Sequence, residues 1–312
     1  MIIKTDICDE YWRFAYLRQL TFLRNHAQSV PFNPDAIIES YKFTNCYRAC
    51  DRVSQFLISN ISNSESCPEN IFFRTVLFKL FNKIGTWLSL SKELGMISFE
   101  GFEPNLYSEK IMSIINSGDK VYSAAYIMPS GKKEFGSPRK HENNFLLLEM
   151  MLKDELHKKI WDYKNLKSVY EAFLSYPTIG PFLAYQYAID IAYSGYSEAK
   201  ESDYVVAGPG ALRGIKKCFS SIGGYTAADV IKYMVDNQEA EFERLGLDFK
   251  YLKNRKLQLI DCQNLFCEFD KYCRVKYPNI VVGNTRIKQK YKPNSTPIEY
   301  EFPIKWNAGL PE

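Results

Sequence analysis

Apolar residues recur at helical spacing through most of the chain, beginning with Trp12, Ala15, Tyr16, Leu20 and Leu23. A repeat of three to four residues places such side chains on one face of a helix. The pattern continues to about residue 277, interrupted by clusters of Pro, Gly, Asn and Ser that are typical of helix ends. It predicts one helix after another and therefore an all-α protein.

Prolines and cap residues predict where several of these helices begin. An Asn-Pro pair at residues 33–34 predicts the start of a helix that runs to about residue 59, and Pro68 predicts one that runs to about residue 94. Further helices are expected at 105–117, 141–158, 164–175, 180–194, 209–219, 226–245 and 258–277.

Residues 121–138 are rich in small residues, Gly and Pro, which predicts a loop and a boundary between two lobes. We therefore expect residues 1–312 to form a single two-lobed helical unit. Its N-terminal helical lobe would cover 1–120, and its second lobe 139–278. The tail, 279–312, is expected to be extended and packed on the body, because Phe302, Ile304 and Trp306 offer alternating apolar side chains.

Composition narrows the class of protein. The chain has 312 residues and a hydrophobic fraction of 46%, enough for a large core. It lacks a membrane-spanning apolar run and the layout of a signal peptide at its start, so we expect a cytoplasmic protein without a membrane partner. The eight cysteines form no CxxC pair and there are three histidines, so we expect neither a metal nor another cofactor. Carboxylates are the expected catalysts.

The net charge of +4 is too small to indicate a nucleic-acid partner by itself, but basic residues are clustered. Four of them lie in the predicted loop or directly after it: Lys132, Lys133, Arg139 and Lys140. Four more alternate along the tail, where an extended segment would present one basic face: Arg286, Lys288, Lys290 and Lys292. Each group fits either contacts with DNA phosphates or ordinary solvated loops.

The segment FLSYPTIGPFLA, residues 173–184, contains a helix end, a tight turn and a new helix start. It resembles the helix-hairpin-helix of DNA-repair glycosylases, in which the second helix offers backbone N–H groups to a DNA phosphate. Ile179 would plug into the hairpin and Gly180 would allow close approach of the phosphate. Bifunctional relatives have a lysine where this chain has Phe182, so a lyase reaction through a Schiff base is disfavoured. A plain helix-turn-helix joint is the alternative.

Four ordered blocks extend the resemblance: FTNCYRACDRVS at 43–54, residues 180–190, AGPGA at 207–211 with Gly214, and NLFCEFDKY at 264–272. Together they resemble the α-glutamyl/putrescinyl-thymine pyrophosphorylase-like family, which is related to the helical domain of 5-hydroxymethyluridine DNA kinases. The resemblance implies a two-lobed helix-hairpin-helix DNA glycosylase-like fold with the hairpin at about 164–194. It also implies tailoring of hypermodified thymine in phage DNA or, in bacterial anti-phage members, excision of bulky modified bases.

Within these blocks the candidate catalytic residues lie on the last predicted helix, where Asn264, Glu268 and Lys271 fall on one face. Asp270 falls on the neighbouring face with Arg274. The resemblance favours a catalytic role for these residues, although an i,i+4 pair on a solvated face is the commoner meaning of such spacing.

Asp190 is a further candidate, because it lies among apolar residues on the second hairpin helix. It would sit either at a solvated helix edge or in a pocket that raises its pKa. Glycosylases with this hairpin place a catalytic Asp about 20 residues after the turn glycine. Here Gly208 stands where that carboxylate is expected.

Two more segments are candidates for binding phosphate or a base. Asn45, Arg48 and Arg52 share a predicted helical face, where arginines could clamp a phosphate, although a salt bridge to Asp51 is equally plausible.

Gly208 and Gly210 precede the helix at 211–219 and could form a nest of backbone N–H groups, followed by Arg213. A simple turn at the start of a helix is the alternative. The pattern GxxxxGK[ST] is absent, so we do not expect this chain to encode the kinase activity of some relatives.

The first hypothesis is a monofunctional DNA glycosylase that flips a bulky modified pyrimidine out of double-stranded phage DNA and hydrolyses its glycosidic bond in anti-phage defence. Asp270, Glu268 or Asp190 would supply the carboxylate. One alternative is a transferase in which an amine displaces pyrophosphate from diphosphorylated hydroxymethyl-thymine. Another is a binder of modified DNA without catalysis. The protein is expected to be a monomer.

Overall fold

Helices dominate the computed structural model, which describes residues 1–27, 35–287, 289–294 and 296–311. The α-helices are α1 (Cys8–Ala27), α2 (Ala36–Ser40), α3 (Arg52–Leu57), α4 (Pro68–Phe81), α5 (Ile84–Leu94), α6 (Pro104–Asn116), α7 (Lys132–Phe135), α8 (Lys140–Lys153), α9 (Leu156–Lys159), α10 (Leu166–Leu174), α11 (Pro181–Ala192), α12 (Pro209–Cys218), α13 (Ala227–Arg244) and α14 (Leu259–Lys276). A small antiparallel sheet pairs β1 (Ile3–Lys4) with β2 (Phe219–Ser221), in the register Ile3 to Ser221 and Lys4 to Phe219. None of these helices is both long and apolar enough to cross a membrane.

Helix α6 and helices α10 to α14 confirm the helices predicted at the corresponding positions. The predicted helix from residues 33–34 to about 59 is wrong where it can be compared, and residues 33–34 themselves lie outside the described part. Asp35 caps α2 through its carboxylate, which accepts hydrogen bonds from the N–H groups of Ile37 and Ile38 at 2.9 and 3.1 Å. The chain then leaves the helix at Tyr41, whose backbone is extended.

Two other predicted helices are each interrupted by one residue in the left-handed conformation. Asn82, with φ of 50°, separates α4 from α5, and Glu155, with φ of 58°, separates α8 from α9. Asn adopts this conformation more readily than most residues, whereas Glu does so at a cost. The apolar spacing continues across both breaks, so the hydrophobic pattern alone predicted uninterrupted helices.

The chain folds into two compact units, each built from segments that are distant in sequence. Unit 1 comprises Met1–Asp51, Val205–Tyr300 and Ala308–Glu312, and unit 2 comprises Arg52–Tyr204 and Glu301–Asn307. These bounds differ from the predicted lobes at 1–120 and 139–278, since unit 1 combines the beginning of the chain with its last third.

Helix α14 forms the centre of unit 1, and α12 packs unusually close to it. A Cβ atom added at Gly214 would lie 2.3 Å from the carbonyl oxygen of Phe266, and one at Gly210 would lie 2.8 Å from Sγ of Cys267. Glycine at these two positions therefore allows the two helices to approach each other. Helix α1 covers another side of α14 with aromatic side chains, including Tyr11, whose ring centroid lies 4.6 Å from that of Phe266.

Helix α4 is the central element of unit 2 and is buried along nearly its whole length. A helix that is apolar on all sides is expected in the interior of a protein. Phe72 of α4 stacks on Phe173 of α10, which also contacts Tyr187 of α11. Phe81, at the end of α4, packs against Phe145 of α8.

The last residues of the chain do not form the predicted alternating strand. Glu301 and Gln55 exchange hydrogen bonds of 2.9 Å within unit 2. Residues Ile304–Trp306 then form a turn of 3-10 helix, which turns Ile304 outward, so that 72% of this residue is exposed. The ring of Trp306 packs against Tyr193.

The close contact of α12 with α14 yields a stability prediction. Gly214→Ala should lower the free energy of unfolding by about 1–3 kcal/mol, because its methyl group must displace a backbone carbonyl. Urea denaturation measures this loss. Gly224→Ala is the matched control in the same unit, since a Cβ there meets no atom within 4 Å. Equal stability of the two variants would contradict the close packing.

Candidate functional site

In unit 1, the segment before α3 meets α14 and places two carboxylates side by side. The N–H of Thr44 donates to Oε2 of Glu268 at 3.0 Å, and the next N–H, of Asn45, donates to Oδ1 of Asp51 at 2.8 Å. Two successive backbone amides thus hold carboxylates that are more than 200 residues apart in the chain. We call Arg18, Thr44, Asn45, Asp51, Glu268 and Lys271 the polar cluster.

Arg18 of α1 supplies a buried positive charge to the polar cluster. Its Nε donates to the carbonyl oxygen of Thr44 at 3.1 Å, and its Nη2 donates to Oδ1 of Asn45 at 2.9 Å. Burial lowers the pKa of Arg18, and the negative charges of Asp51 and Glu268 oppose that effect. The guanidinium is therefore fixed on the segment that holds both carboxylates.

Asp51 has an unusual pKa for a carboxylate. Its pKa is raised from 3.8 to about 7, chiefly by burial. The charge of Glu268 also raises this pKa, whereas the hydrogen bond from Asn45 and the charges of Arg18 and Arg48 lower it. The residue still keeps some exposure to solvent. Asp51 can therefore gain or lose a proton near neutral pH.

Lys271 lies at the edge of the polar cluster. Its Nζ is 2.5 Å from Oε2 of Glu268 and donates to the carbonyl oxygen of Lys42 at 3.2 Å. Asn264 is buried on the same helix, one turn before Glu268. The hydroxyl of Thr44 is buried and has no hydrogen-bond partner among the described residues. The polar cluster thus combines two carboxyl groups, the ammonium group of Lys271 and the hydroxyl of Thr44, which has no hydrogen-bond partner among the described residues.

The predicted helical face of Asn45, Arg48 and Arg52 is wrong. Asn45 lies between α2 and the next helical turn, Arg48 begins that turn, which is a 3-10 helix, and Arg52 begins α3. The N–H of Arg48 donates to Oδ1 of Asp261 at 2.8 Å, so an acidic residue from α14 fixes this turn.

Asp270, the preferred catalytic candidate from the sequence, is fully buried by three basic side chains. Its carboxylate lies 2.9 Å from Nε of Arg213, 3.0 Å from Nζ of Lys217 and 2.5 Å from Nη2 of Arg274. The pair with Arg274 is therefore present, but not on a solvated face. A carboxylate with no exposed surface and three cationic partners is built into the packing of α12 on α14.

Asp190 is likewise paired in the interior of unit 2 and does not face solvent. Its carboxylate lies 2.7 Å from Nζ of Lys79, and each side chain is 3% exposed. The ammonium of Lys79 also lies 4.0 Å from the ring centroid of Tyr126, which stacks on Phe182.

The hairpin and the basic loop of unit 2 lie next to each other. A Cβ atom at Gly131, just before α7, would lie 3.6 Å from Cγ2 of Thr178 in the hairpin turn. Ile179 is buried in the turn, while a Cβ added at Gly180 meets no atom within 4 Å. Open space in front of the start of α11 is the geometry that a phosphate contact requires.

The four basic residues of that loop are not equivalent. Lys132 and Lys133 are exposed on α7. Arg139 is exposed and lies 2.9 Å from Glu142. Lys140 covers the ring of Tyr122 at 4.0 Å, and burial lowers its pKa. Lys132 and Lys133 are therefore the more available to a phosphate.

The proposed nest at Gly208 and Gly210 has a different explanation. Gly208 is the buried cap of α12, and Gly210 allows the contact with Cys267 described above. Arg213, which follows, is engaged with Asp270. Gly210 is thus required for helix packing, and Gly208 marks the start of α12.

Sequence reasoning missed Arg18 and Thr44 as members of the polar cluster. Arg18 has no local signal, because α1, the segment before α3, and α14 meet only in the folded chain, whereas Thr44 lies in the family-like block at 43–54. Asp51 was noted only as a salt-bridge partner of the arginines. Its position inside one of the four family-like blocks was the available signal.

A family model described as the helical domain of 5-hmdU DNA kinase matches residues 5–282. The chain is 28% identical over 286 residues to the 5-hmdU DNA kinase of Bacillus phage SP10, in an alignment that covers 85% of the chain. The chain spans 44% of the length of that relative. No solved structure matches the chain.

The glycosylase hypothesis is wrong, because both matches carry the name of a DNA kinase. A kinase forms a phosphate ester at a hydroxyl group, whereas a glycosylase breaks the bond between base and sugar. Base flipping, hydrolysis and anti-phage excision lose their support with that hypothesis. The two alternatives, displacement of pyrophosphate by an amine and binding without catalysis, do not match a kinase either.

The surroundings of Asp270 predict a structural effect for Asp270→Asn. Loss of the charge leaves the buried ammonium of Lys217 without its carboxylate, so the free energy of unfolding should fall by about 3–5 kcal/mol. Asp236→Asn is the control, because the pair of Asp236 with Lys232 is exposed, and its loss should cost less than about 1 kcal/mol. Similar unfolding curves for the two variants would rule out a structural role for Asp270.

The raised pKa of Asp51 predicts a dependence of stability on pH. The folded protein keeps the proton on Asp51 up to about pH 7, whereas the unfolded chain releases it near pH 3.8. The folded state is therefore favoured at low pH, and this contribution to stability is lost as the pH rises from about 3.8 to about 7. The loss is at most about 1.4 kcal/mol per pH unit. Urea denaturation should show wild type losing stability relative to Asp51→Asn between pH 5 and pH 7.5. Parallel pH profiles would contradict the raised pKa.

Proposed function

The chain belongs to the family of the helical domain of 5-hmdU DNA kinase, and from this we propose that it takes part in phosphorylating 5-hydroxymethyldeoxyuridine in DNA. The observation that carries the proposal is the polar cluster. It places Asp51, which has a pKa of about 7, beside a second carboxylate and a fixed guanidinium. These groups lie within the residues that the family model matches.

Phosphorylation of a hydroxymethyl group requires a proton acceptor. The hydroxymethyl oxygen forms a bond to the transferred phosphorus, and the bond from that phosphorus to the leaving diphosphate breaks. The hydroxyl proton must leave at the same time. We assign its removal to Asp51, since a base with a pKa near the working pH combines a deprotonated fraction with sufficient basicity.

The neighbours of Asp51 suit the remaining tasks. The buried hydroxyl of Thr44 can hydrogen-bond a pyrimidine oxygen or nitrogen. Lys271, partly exposed, can stabilise negative charge that develops on the phosphoryl group. Glu268 pairs with Lys271, and its charge adds to the effect of burial in raising the pKa of Asp51.

For unit 2 we propose binding of the DNA backbone. The helix-hairpin-helix assignment of α10, the turn and α11 rests on the buried Ile179 and on the open approach at Gly180. The exposed Lys132 and Lys133 beside this turn supply positive charge. Double-stranded DNA that carries the modified base is the proposed partner.

The roles proposed for this chain concern the DNA substrate of the phosphorylation. The matched family model is described as a helical domain, and the phage relative is more than twice as long as the stretch that the chain spans. We therefore assign to this chain the binding of the hydroxymethyl nucleotide, the removal of its proton and, through Lys271, the stabilisation of charge on the transferred phosphoryl group. No residue is assigned to the rest of the phosphate donor.

Binding to two duplexes that differ in one base tests the proposal. A duplex with one 5-hydroxymethyldeoxyuridine should bind about fivefold to tenfold more tightly than the same duplex with thymidine, the equivalent of one added hydrogen bond. Fluorescence anisotropy measures both affinities.

Asp51→Ala should abolish this preference while the affinity for the thymidine duplex stays unchanged. Asp236→Ala, at an exposed position, is the control and should keep the preference. Equal affinity of wild type for the two duplexes would overturn the proposed function.

A further inference from the structure

The segment from Lys271 to Ile298 carries seven Lys and Arg residues and no Asp or Glu. Three of these cations, on α14, are paired with carboxylates: Lys271 with Glu268, Arg274 with Asp270 and Lys276 with Glu10. Lys288 lies outside the described residues. Arg286, Lys290 and Lys292 are exposed, and within the described part of the chain none of the three forms an ion pair.

This part of the tail is held in place on unit 1. Gly283 lies against Arg213, since a Cβ at this glycine would be 2.9 Å from Cδ of the arginine. Nη1 of Arg274 donates to the carbonyl oxygen of Arg286 at 2.9 Å. The exposed cations therefore belong to a segment that is attached to α12 and α14.

Further along, the tail pairs with the chain that follows α2. The N–H of Lys42 donates to the carbonyl oxygen of Gln289, and the N–H of Tyr291 donates to the carbonyl oxygen of Ser40, both at 3.1 Å. Lys290 also covers the ring of Tyr41 at 3.9 Å. In extended backbone, every second side chain lies on the same face, about 6.6 Å apart. Lys290 and Lys292 thus point to one side.

The segment following α2 adds a fourth cation, Lys42, which is exposed. Its carbonyl oxygen accepts the hydrogen bond from Lys271, so Lys42 borders the polar cluster. The carboxylate nearest in the chain, Glu39, lies 3.3 Å from Arg24. We call Lys42, Arg286, Lys290 and Lys292 the basic strip.

We propose that the basic strip is a second binding site for nucleic acid, which holds the phosphate backbone of duplex DNA along unit 1. Fixed cations that form no ion pair within the described residues attract a polyanion, and each phosphate that they neutralise releases a counterion. The contact carries no base specificity. This proposal extends the proposed function but stands on the charge of the strip, whatever base the polar cluster binds.

The test compares two variants with the same change in net charge. Arg286→Gln, Lys290→Gln and Lys292→Gln together, the strip variant, remove the three cations that the tail contributes to the basic strip. Lys153→Gln, Lys158→Gln and Lys232→Gln neutralise three exposed lysines that are paired with acidic side chains elsewhere. The slope of log Kd against log salt is measured with a thymidine duplex for wild type and both variants.

The strip variant should lose about 2–3 from the magnitude of this slope and at least about tenfold in affinity, whereas the control should keep the slope of wild type. A charge-preserving variant, Arg286→Lys with Lys290→Arg and Lys292→Arg, should retain the slope and so separates charge from folding. An unchanged slope for the strip variant, or the same loss in the control, overturns the proposal.

Two further outcomes have fixed meanings. If wild type shows no preference for 5-hydroxymethyldeoxyuridine but the strip variant shows the predicted change in slope, the proposed function is wrong and the proposal for the basic strip is supported. Binding of wild type to phosphatidylserine vesicles that the strip variant loses, with an unchanged DNA slope, would show that the strip binds membranes and overturn the proposal.

Discussion

The packing of α12 on α14 is the constraint on which the rest of unit 1 depends. Backbone contact at Gly214 brings the helices so close that basic side chains of α12 reach Asp270 on α14. A buried carboxylate is tolerated only with such partners, because an unpaired charge in the interior is strongly destabilising. Glycine and charge pairing therefore act together to fix the position and rotation of α14.

The rotation of α14 in turn determines which of its acidic groups are available for chemistry. Asp270 faces α12 and forms ion pairs with three cations, whereas Glu268 faces the segment before α3 and accepts a hydrogen bond from an N–H group of that segment. Two carboxylates separated by one residue thus have opposite roles. The same rotation brings Lys271 to the carbonyl oxygen of Lys42, next to the basic strip.

Both units contain buried basic residues that are paired with carboxylates and exposed basic residues that, in the part of the chain the structure describes, are not. Lys79 and Lys217 are buried and neutralise Asp190 and Asp270, and their distances of 2.7 and 3.0 Å leave little room for another anion. Lys132 and Lys133 of α7, and Lys290 and Lys292 of the tail, have no such carboxylate within the described residues. Exposure and pairing, more than the number of basic residues, therefore distinguish a structural cation from one that can meet DNA.

The sequence by itself determined the helical class, the positions of α6 and of α10 to α14, and the kinship with the helical domain of 5-hmdU DNA kinase. Helical periodicity and ordered blocks of residues are local properties, so they can be read along the chain. Breaks at Asn82 and Glu155 were missed because a single left-handed residue leaves the hydrophobic pattern unchanged.

Only the tertiary structure decided which candidate residues share a site. Periodicity places Glu268 and Asp270 on neighbouring faces of one helix but does not say what packs against each face. The hydrogen bond from Thr44 joins it to Glu268, more than 200 positions away, and the raised pKa of Asp51 arises from burial in the fold, to which the charge of Glu268 adds. Long-range contacts and desolvation arise from packing, which is why the family resemblance led to Asp270, whereas the contacts in the fold led us to propose Asp51.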